Sequence, residues 1–472
     1  MRIPFDLIAA ILCAERMGES LHQLDATAGS ALRALWVWPL FLLCAWLFHD
    51  IAARLTERRT DFGRAPDGGG RGIHPQQFHT RLTWLAQFLS VALFAAATWY
   101  LQWPLIVERW PAWLGLSPDA SIGGLMLSHS VVMEMLLTIG PYLAAMVLAW
   151  IPRRRLASTA GRRSIPLLAY LSFEAKISWL PLSLCVLFAA LSDMVSGFKN
   201  FLLLLPEQYL EFLYDDITQI VISFALAGLA ATVLVPLAAV RLWRCTPLAD
   251  GELKDRLAAL MARSGVKARG ILVWGGRSSG MLNACVLGPW SRFRYVLISP
   301  LLADELGMDE TEAVLAHELG HARYGHLTFY FIVILFMAML IAPLYTLTSS
   351  GWRAFPVLQV ATTMAFVIAY IYFFFGAMSR QCEREADLAS AELIGTPAPL
   401  IAALEKLACR SGNIRGVPCW HHGSIADRIT AVLRLSGNPD ESVRFHARLR
   451  ALRIGLTALA VGLMAAQLIW QA

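Results

Sequence analysis

The sequence predicts a mainly α protein, a polytopic helical membrane protein of about seven to eight spans carrying a cytosolic α+β domain with a small antiparallel sheet. Three observations point there. The 472 residues are 57% apolar and 16% charged, with a mean hydropathy of +0.55, whereas soluble chains run near roughly 45–50% and about 25%. The apolar residues are gathered into runs of spanning length, and the basic residues are gathered between alternate runs.

A helix crossing roughly 30 Å of hydrocarbon needs about 20 mostly apolar residues. Eight runs reach or approach that length: 31–49, 82–107, 128–151, 177–197, 217–242, 328–348, 355–378 and 454–470. The run 5–14 is too short, carries Asp6 and lacks the flanks of a signal peptide. The 40 basic residues are 35 Arg and 5 Lys. Six Arg fall in 50–81 and five, with Lys176, in 152–176, while 108–127, 198–216 and 349–354 hold one basic residue each. The positive-inside rule puts the Arg-rich loops in the cytoplasm, so the N-terminus lies outside, and 243–327 and 379–453 lie inside. The expected order is therefore an N-terminal membrane region of about five spans over 1–242, then the first half of a cytosolic domain at 243–327. A transmembrane hairpin at 328–378, the second half of that domain at 379–453 and a C-terminal span in 454–472 follow.

The net charge of +6 sits in these loops, so it reads as a topology signal and no nucleic-acid partner is expected. The eight cysteines include no C-x-x-C pair, which argues against a disulfide framework or a thiolate metal site. Residues 64–72 form a flexible loop by composition. No internal repeat is visible, against a transporter built from half-repeats. The arginine bias and the lack of a transit peptide fit a bacterial inner membrane.

The sharpest chemical signal is His317-Glu318-Leu319-Gly320-His321, preceded by good helix formers with Asp309 as the expected N-cap and Glu312 as its capping-box partner. Residues four apart lie about 40° from each other on a helix, so both imidazoles meet at one point and can ligate zinc. Glu318, one residue round, can reach a water there without ligating. A catalytic zinc usually takes three protein ligands and a water. His326 lies five residues past His321, about 140° round the same helix, and is expected to end the helix or meet headgroups rather than ligate.

A better source for the third ligand is the run from Ser379 to Asp387, where Glu383 and Asp387 share a helix face. By spacing, one carboxylate ligates and the other accepts a hydrogen bond from a ligand imidazole. The same spacing would also suit a solvated charged face. Glu385, about 200° from Glu383, faces away.

The run AVLAHELGHARYGH, two spans and then SRQCEREAD together resemble the integral-membrane zinc metalloproteases, among them the HtpX proteases and the type I CAAX prenyl endopeptidases. The resemblance implies one Zn2+ per chain, Glu383 as third ligand and Asp387 as the carboxylate behind a ligand. The number of spans before the motif looks more like the CAAX endopeptidases, and the span at 454–470 departs from both. The run Ser279 to Gly288 is similar to the family's Asn-Ala strand, which implies that Asn283 and Ala284 align substrate backbone. From the residues themselves, 271–275, 282–287 and 293–299 read as the strands of the small sheet, and an exposed edge there could take an extended peptide. His422 to Ile429 looks like the family's His-Pro motif ending in Arg-Ile, with Gly423 in place of Pro. It implies His422 as an oxyanion donor, next to a second histidine, His421. In the third run, His129 and Glu134 are ionisable residues within apolar sequence, and Glu134 could line an intramembrane chamber or bond between helices.

These readings converge on a membrane zinc endopeptidase of gluzincin type, working at the cytosolic side on a protein or peptide substrate, with membrane lipid around it and Glu318 as general base. A catalytically silent scaffold or sensor with a structural zinc is the alternative, and the intact Glu318 counts against it.

Overall fold

The computed structural model describes residues 28–62, 75–108, 121–122, 125–126, 130–161, 166–198, 216–274, 283–351, 356–410 and 414–471. The run 5–14, the 64–72 loop, His129 and residues 279–282 of the strand motif lie outside them. The chain forms two compact units, 1–227 with 343–365, and 228–342 with 366–472. It is a multi-pass helical membrane protein. Among the described residues five helices are long and apolar enough to cross a bilayer: Arg33–Arg58, Arg81–Leu101, Val131–Arg154, Ala225–Leu242 and Ala365–Ile394.

The first unit is built from α1 (Ala28–Phe62), α2 (Pro75–Leu101), the short α3 (Trp103–Val107), a two-residue hairpin β1 (Ser121–Ile122) and β2 (Leu125–Met126), α4 (Val131–Gly161) and α5 (Leu167–Phe198). Ala34, Trp38, Phe41 and Ala45 recur at helical spacing on α1 and pack against Phe94, Ala97 and Leu101 of α2 and Ile139, Tyr142 and Ala145 of α4. The small residues let backbones approach where lipid supplies no hydrophobic drive between helices. Trp38 stacks on Phe94 at 5.9 Å between centroids. Outward positions such as Trp36 and Phe88 are equally apolar and exposed, as a lipid-facing surface requires. The expected span 177–197 falls within α5, where Cys185–Met194 is the apolar stretch found.

After α6 (Asp216–Leu242), the second unit runs through β3 (Thr246–Pro247), α7 (Glu252–Ser264), β4 (Gly270–Val273), β5 (Ala284–Leu287), β6 (Tyr295–Ile298), α8 (Pro300–Glu305) and α9 (Met308–Arg323). The sheet departs from expectation. Its order is β3-β4-β6-β5, and β4 pairs with β6 in parallel, so it is mixed and not antiparallel. The chain passes from β4 to the far edge, forms β5 there and hairpins back as β6 between them, with Ala284 opposite Ile298 and Leu287 opposite Tyr295. Central β6 is buried throughout and β5 is left as the edge strand. Leu257 and Leu260 of α7, Val286, Val296 and Ile298 of the sheet, and Leu315, Ala316 and Leu319 of α9 make one core.

α9 is capped two residues earlier than expected. Gly307 occupies the N-cap, and the Glu310 carboxylate accepts its N–H at 2.9 Å. Glu312 instead pairs with Arg256 at 2.7 Å and Arg263 at 2.8 Å. The helix stops at Gly325, whose φ of +68° suits glycine. Then α10 (His326–Gly351) leaves at 51°. The expected span 328–348 lies within α10, which is 26 residues long.

α11 (Pro356–Ala369) continues through a π-helical segment, Tyr370–Phe375, into α12 (Gly376–Ile394), so the last of the five candidate spans runs directly into the site. α13 (Ala398–Arg410), α14 (Ile425–Ser436) and α15 (Pro439–Gln471) complete the unit. The expected span 454–470 is helical within α15 but is not among the five.

α9 and α12 touch through Gly320. A Cβ there would stand 2.9 Å from Ala389 Cβ and 3.1 Å from Ala386 Cα. Gly320→Ala is expected to destabilise the protein by about 1–3 kcal/mol, as overpacking does, and to lower its metal content, because the two helices carry opposite sides of the site. Thermal melts and metal analysis of the purified variant check both.

Candidate metal centre

Three side chains converge between α9 and α12. His317 and His321, one turn apart, bring their Nε2 atoms to 3.2 Å. Glu383 faces them, with Oε2 3.6 Å from His317 Nε2 and Oε1 3.5 Å from His321 Nε2. Ligands each about 2 Å from one tetrahedral ion stand about 3–3.5 Å apart, which is close to the spacing found. Glu383 is 4% exposed, and its Oε2 has no hydrogen-bond partner. Arg428 Nη1 stands 3.5 Å from that oxygen without hydrogen-bond geometry. A buried carboxylate oxygen left so is costly, and a cation between the three side chains would satisfy it. The residues fit a divalent metal bound by two imidazoles and a carboxylate.

Behind His317, its Nδ1 lies 2.9 Å from Asp387 Oδ1. Arg428 of α14 grips Asp387 by both oxygens, Nη2 to Oδ1 at 2.6 Å and Nε to Oδ2 at 2.9 Å. Burial works against the Arg428 charge, but Asp387 and Glu383 outweigh it and raise its pKa further. The motif resemblance included Arg428 without assigning it a task. The signal was available, since a buried aspartate in the middle of a helix needs a cation or several donors.

Glu318 opens on the cavity that holds the cluster. Burial pushes its carboxyl up to about 7; His317 and Arg428 oppose the shift, Glu383 adds to it, and the Val286 backbone hydrogen-bonds to it. His422 Nδ1 reaches Glu383 Oε1 at 2.9 Å. Its neighbour His421 turns instead to Cys419 Sγ, 3.1 Å from Nδ1, so the structure separates the two histidines. They ride a tight turn closed by Cys419 and Gly423, whose backbone groups exchange hydrogen bonds of 3.1 and 2.9 Å. Gly423 has φ +78°, a conformation closed to proline. The turn is held by its own backbone pair and by Arg380 donating to the Trp420 carbonyl at 2.5 Å.

Asn283 and Ala284 stand at the start of edge strand β5 and line the same cavity as His317, Glu318, Glu383, His422 and Arg428. Asn283 is exposed and pinned by Ser299, whose N–H donates to the Asn283 carbonyl at 2.9 Å and whose hydroxyl accepts the Asn283 N–H at 3.1 Å. Leu302, Leu306, Leu400 and Leu404 supply an apolar wall.

One residue departs from expectation. His326 neither ends the helix nor meets headgroups: it opens α10, is 0% exposed and touches His321. On one straight helix the ring would lie about 140° from His321, but the break at Gly325 turns it back. Glu385 does face away from Glu383, but it is equally buried and binds His326.

The fold and the site together are those of a multi-pass membrane protein with a two-histidine, one-carboxylate candidate metal centre. Residues 247–451, which contain every residue of the cluster, match the model of peptidase family M48. A CAAX prenyl protease 1 homolog of Arabidopsis thaliana is 29% identical over 206 residues, 40% of this chain and 48% of its own length. A protease HtpX homolog of Janthinobacterium sp. (strain Marseille) is 28% identical over 169 residues, 33% of this chain and 56% of its own. The chain spans about half the length of these curated relatives. The crystal structure of S. mikatae Ste24p superimposes with a TM-score of 0.46 at 20% identity, covering 86% of this chain and 100% of that one.

Proposed function

We propose that this protein is a membrane-embedded zinc endopeptidase that hydrolyses peptide bonds of protein or peptide substrates at the cytosolic side of the membrane. The observation that carries the reading is the pairing, in one cavity, of an unpartnered buried Glu383 oxygen facing two imidazoles with the separate carboxylate of Glu318. His317, His321 and Glu383 would hold the ion, with Asp387 orienting His317. Bound zinc supplies Lewis acidity, polarising a peptide carbonyl and acidifying a water. Glu318 takes the proton of the attacking water and returns it to the leaving amine, work for which a carboxyl titrating near neutrality is suited. His422 donates to the developing oxyanion. An extended substrate adds to the β5 edge beside Asn283 and Ala284, and the leucine wall receives an apolar side chain. A structural zinc in a silent scaffold would not need Glu318.

The test is cleavage of an unstructured reporter and of a membrane-embedded one by detergent-purified protein, with zinc quantified. We expect one zinc per chain, loss of cleavage on chelation and recovery on adding zinc. Stoichiometric zinc without cleavage of either reporter supports the scaffold instead.

Orientation rests on the Arg-rich loops. Cys409 is the exposed cysteine among the described residues. A membrane-impermeant maleimide is expected to label it only after cells are permeabilised, with Cys409→Ser as the control. Labelling of intact cells that this variant abolishes would reverse the topology.

A further inference from the structure

A histidine that ligates through Nε2 keeps its proton on Nδ1, and the partner of that proton orients the ring. For His317 the partner is Asp387. For His321 it is another imidazole: His321 Nδ1 lies 2.8 Å from His326 Nδ1, and His326 Nε2 lies 2.9 Å from Glu385 Oε2. With His321 ligating, one proton arrangement satisfies the chain. His321 Nδ1–H donates to His326 Nδ1, and His326 Nε2–H donates to Glu385. The Glu385 carboxylate also accepts from Arg453 Nη1 at 2.6 Å, Arg453 Nη2 at 3.2 Å and His446 Nδ1 at 3.0 Å. His326 and Glu385 are both 0% exposed. Arg453 and His446 come from α15, and Arg453 lies beyond residue 451, where the family match ends.

We infer that His326 and Glu385 are positioning residues for His321, and that α15, through Arg453 and His446, anchors them and is thereby coupled to the metal centre. The inference rests on the reading of His321 as a metal ligand. Buried polar groups of this kind are often no more stabilising than apolar residues of similar volume. What this chain adds is direction: it selects the His321 tautomer and holds its ring plane. Metal loading and docking of α15 must then favour each other, since coupling of two equilibria is reciprocal.

The experiment compares His326→Leu with His326→Gln in the full-length protein. The Gln carbonyl can accept from His321 while its amide donates to Glu385; Leu can do neither. Zinc dissociation constants come from chelator competition, apo-protein melting temperatures are measured in parallel, and hydrogen exchange over 440–453 is followed with and without zinc. We expect His326→Leu to weaken zinc binding by about 10–100-fold, the usual loss when a ligand's supporting partner is removed. His326→Gln should restore most of the affinity, Arg453→Met should also weaken binding, and zinc should slow exchange in 440–453 of the wild type. Wild-type affinity in His326→Leu overturns the inference. So does equal weakening in Leu and Gln that follows their apo melting temperatures, which marks a purely structural role. Should His326→Leu not fold, wild-type zinc affinity in Arg453→Met overturns the anchor and weakened affinity supports it. A wild type that binds no zinc overturns the metal reading itself.

Discussion

Glu318→Gln is expected to bind one zinc per chain with undiminished affinity and to lose peptide cleavage by about 10³-fold or more. Glutamine keeps the shape of the side chain but cannot accept a proton, and a positioned acid–base contributes typically 10²–10⁴-fold. Zinc retention is expected because Glu318 is not one of the three converging side chains, which are His317, His321 and Glu383. Burial raises the Glu318 carboxyl to about 7, so the variant removes a charge that this environment already disfavours, and folding should not suffer. Initial rates on a reporter, with metal analysis of the same samples, check the prediction. Cleavage at the wild-type rate would remove Glu318 from the mechanism.

Arg428→Met is expected to lower stability by about 3–5 kcal/mol and to weaken zinc binding with it. The side chains of Arg428 and Asp387 are 12% and 1% exposed. Taking away one partner of a buried charge pair leaves the other uncompensated, and that is where the large cost arises. Asp387 would keep only His317 Nδ1, and the aspartate that orients a ligand would itself lose its orientation. Methionine roughly preserves the volume, so the loss is electrostatic and not a cavity. Arg428→Lys keeps the charge but not the two-pronged grip, and should fall between. Adding Asp387→Leu to Arg428→Met should recover part of the folding stability without recovering zinc affinity. Denaturant titrations of the apo proteins beside zinc competition separate the two effects. A methionine variant as stable as wild type would show that the pair is not the support of Asp387.

Much of the molecule was legible in the residue order. Spans follow from apolar length, because a bilayer demands about 20 apolar residues whatever the fold around them. Four expected runs, 31–49, 82–107, 128–151 and 217–242, overlap helices of spanning length, and 355–378 overlaps the candidate that runs on into α12. The convergence of His317 with His321 is equally local, a consequence of helical pitch. The strands were placed within a residue or two, but their pairing was not. Whether β4 lies beside β5 or β6 depends on where the connecting chain travels, and no short-range pattern records it.

The supports of the site were the least legible. A cap two residues early leaves Glu312 to pair with Arg256 and Arg263. A glycine at φ +68° turns a histidine that seemed to point elsewhere into the partner of His321. Arg428 and Arg453 reach their carboxylates from 41 and 68 residues away.

What the sequence by itself determined is therefore what depends on neighbours within a turn or a span: the membrane helices, the His-Glu-x-x-His face and the pairing of Glu383 with Asp387 one turn on. What only the tertiary structure decided is how those pieces meet. It set which way β6 runs against β4, which of His421 and His422 faces Glu383, and that both ligand imidazoles lead through a buried carboxylate to an arginine. The physical reason is that helical pitch and hydrophobic length are properties of short segments. A buried charge, by contrast, is compensated by whichever distant residue the packed chain brings within about 3 Å of it.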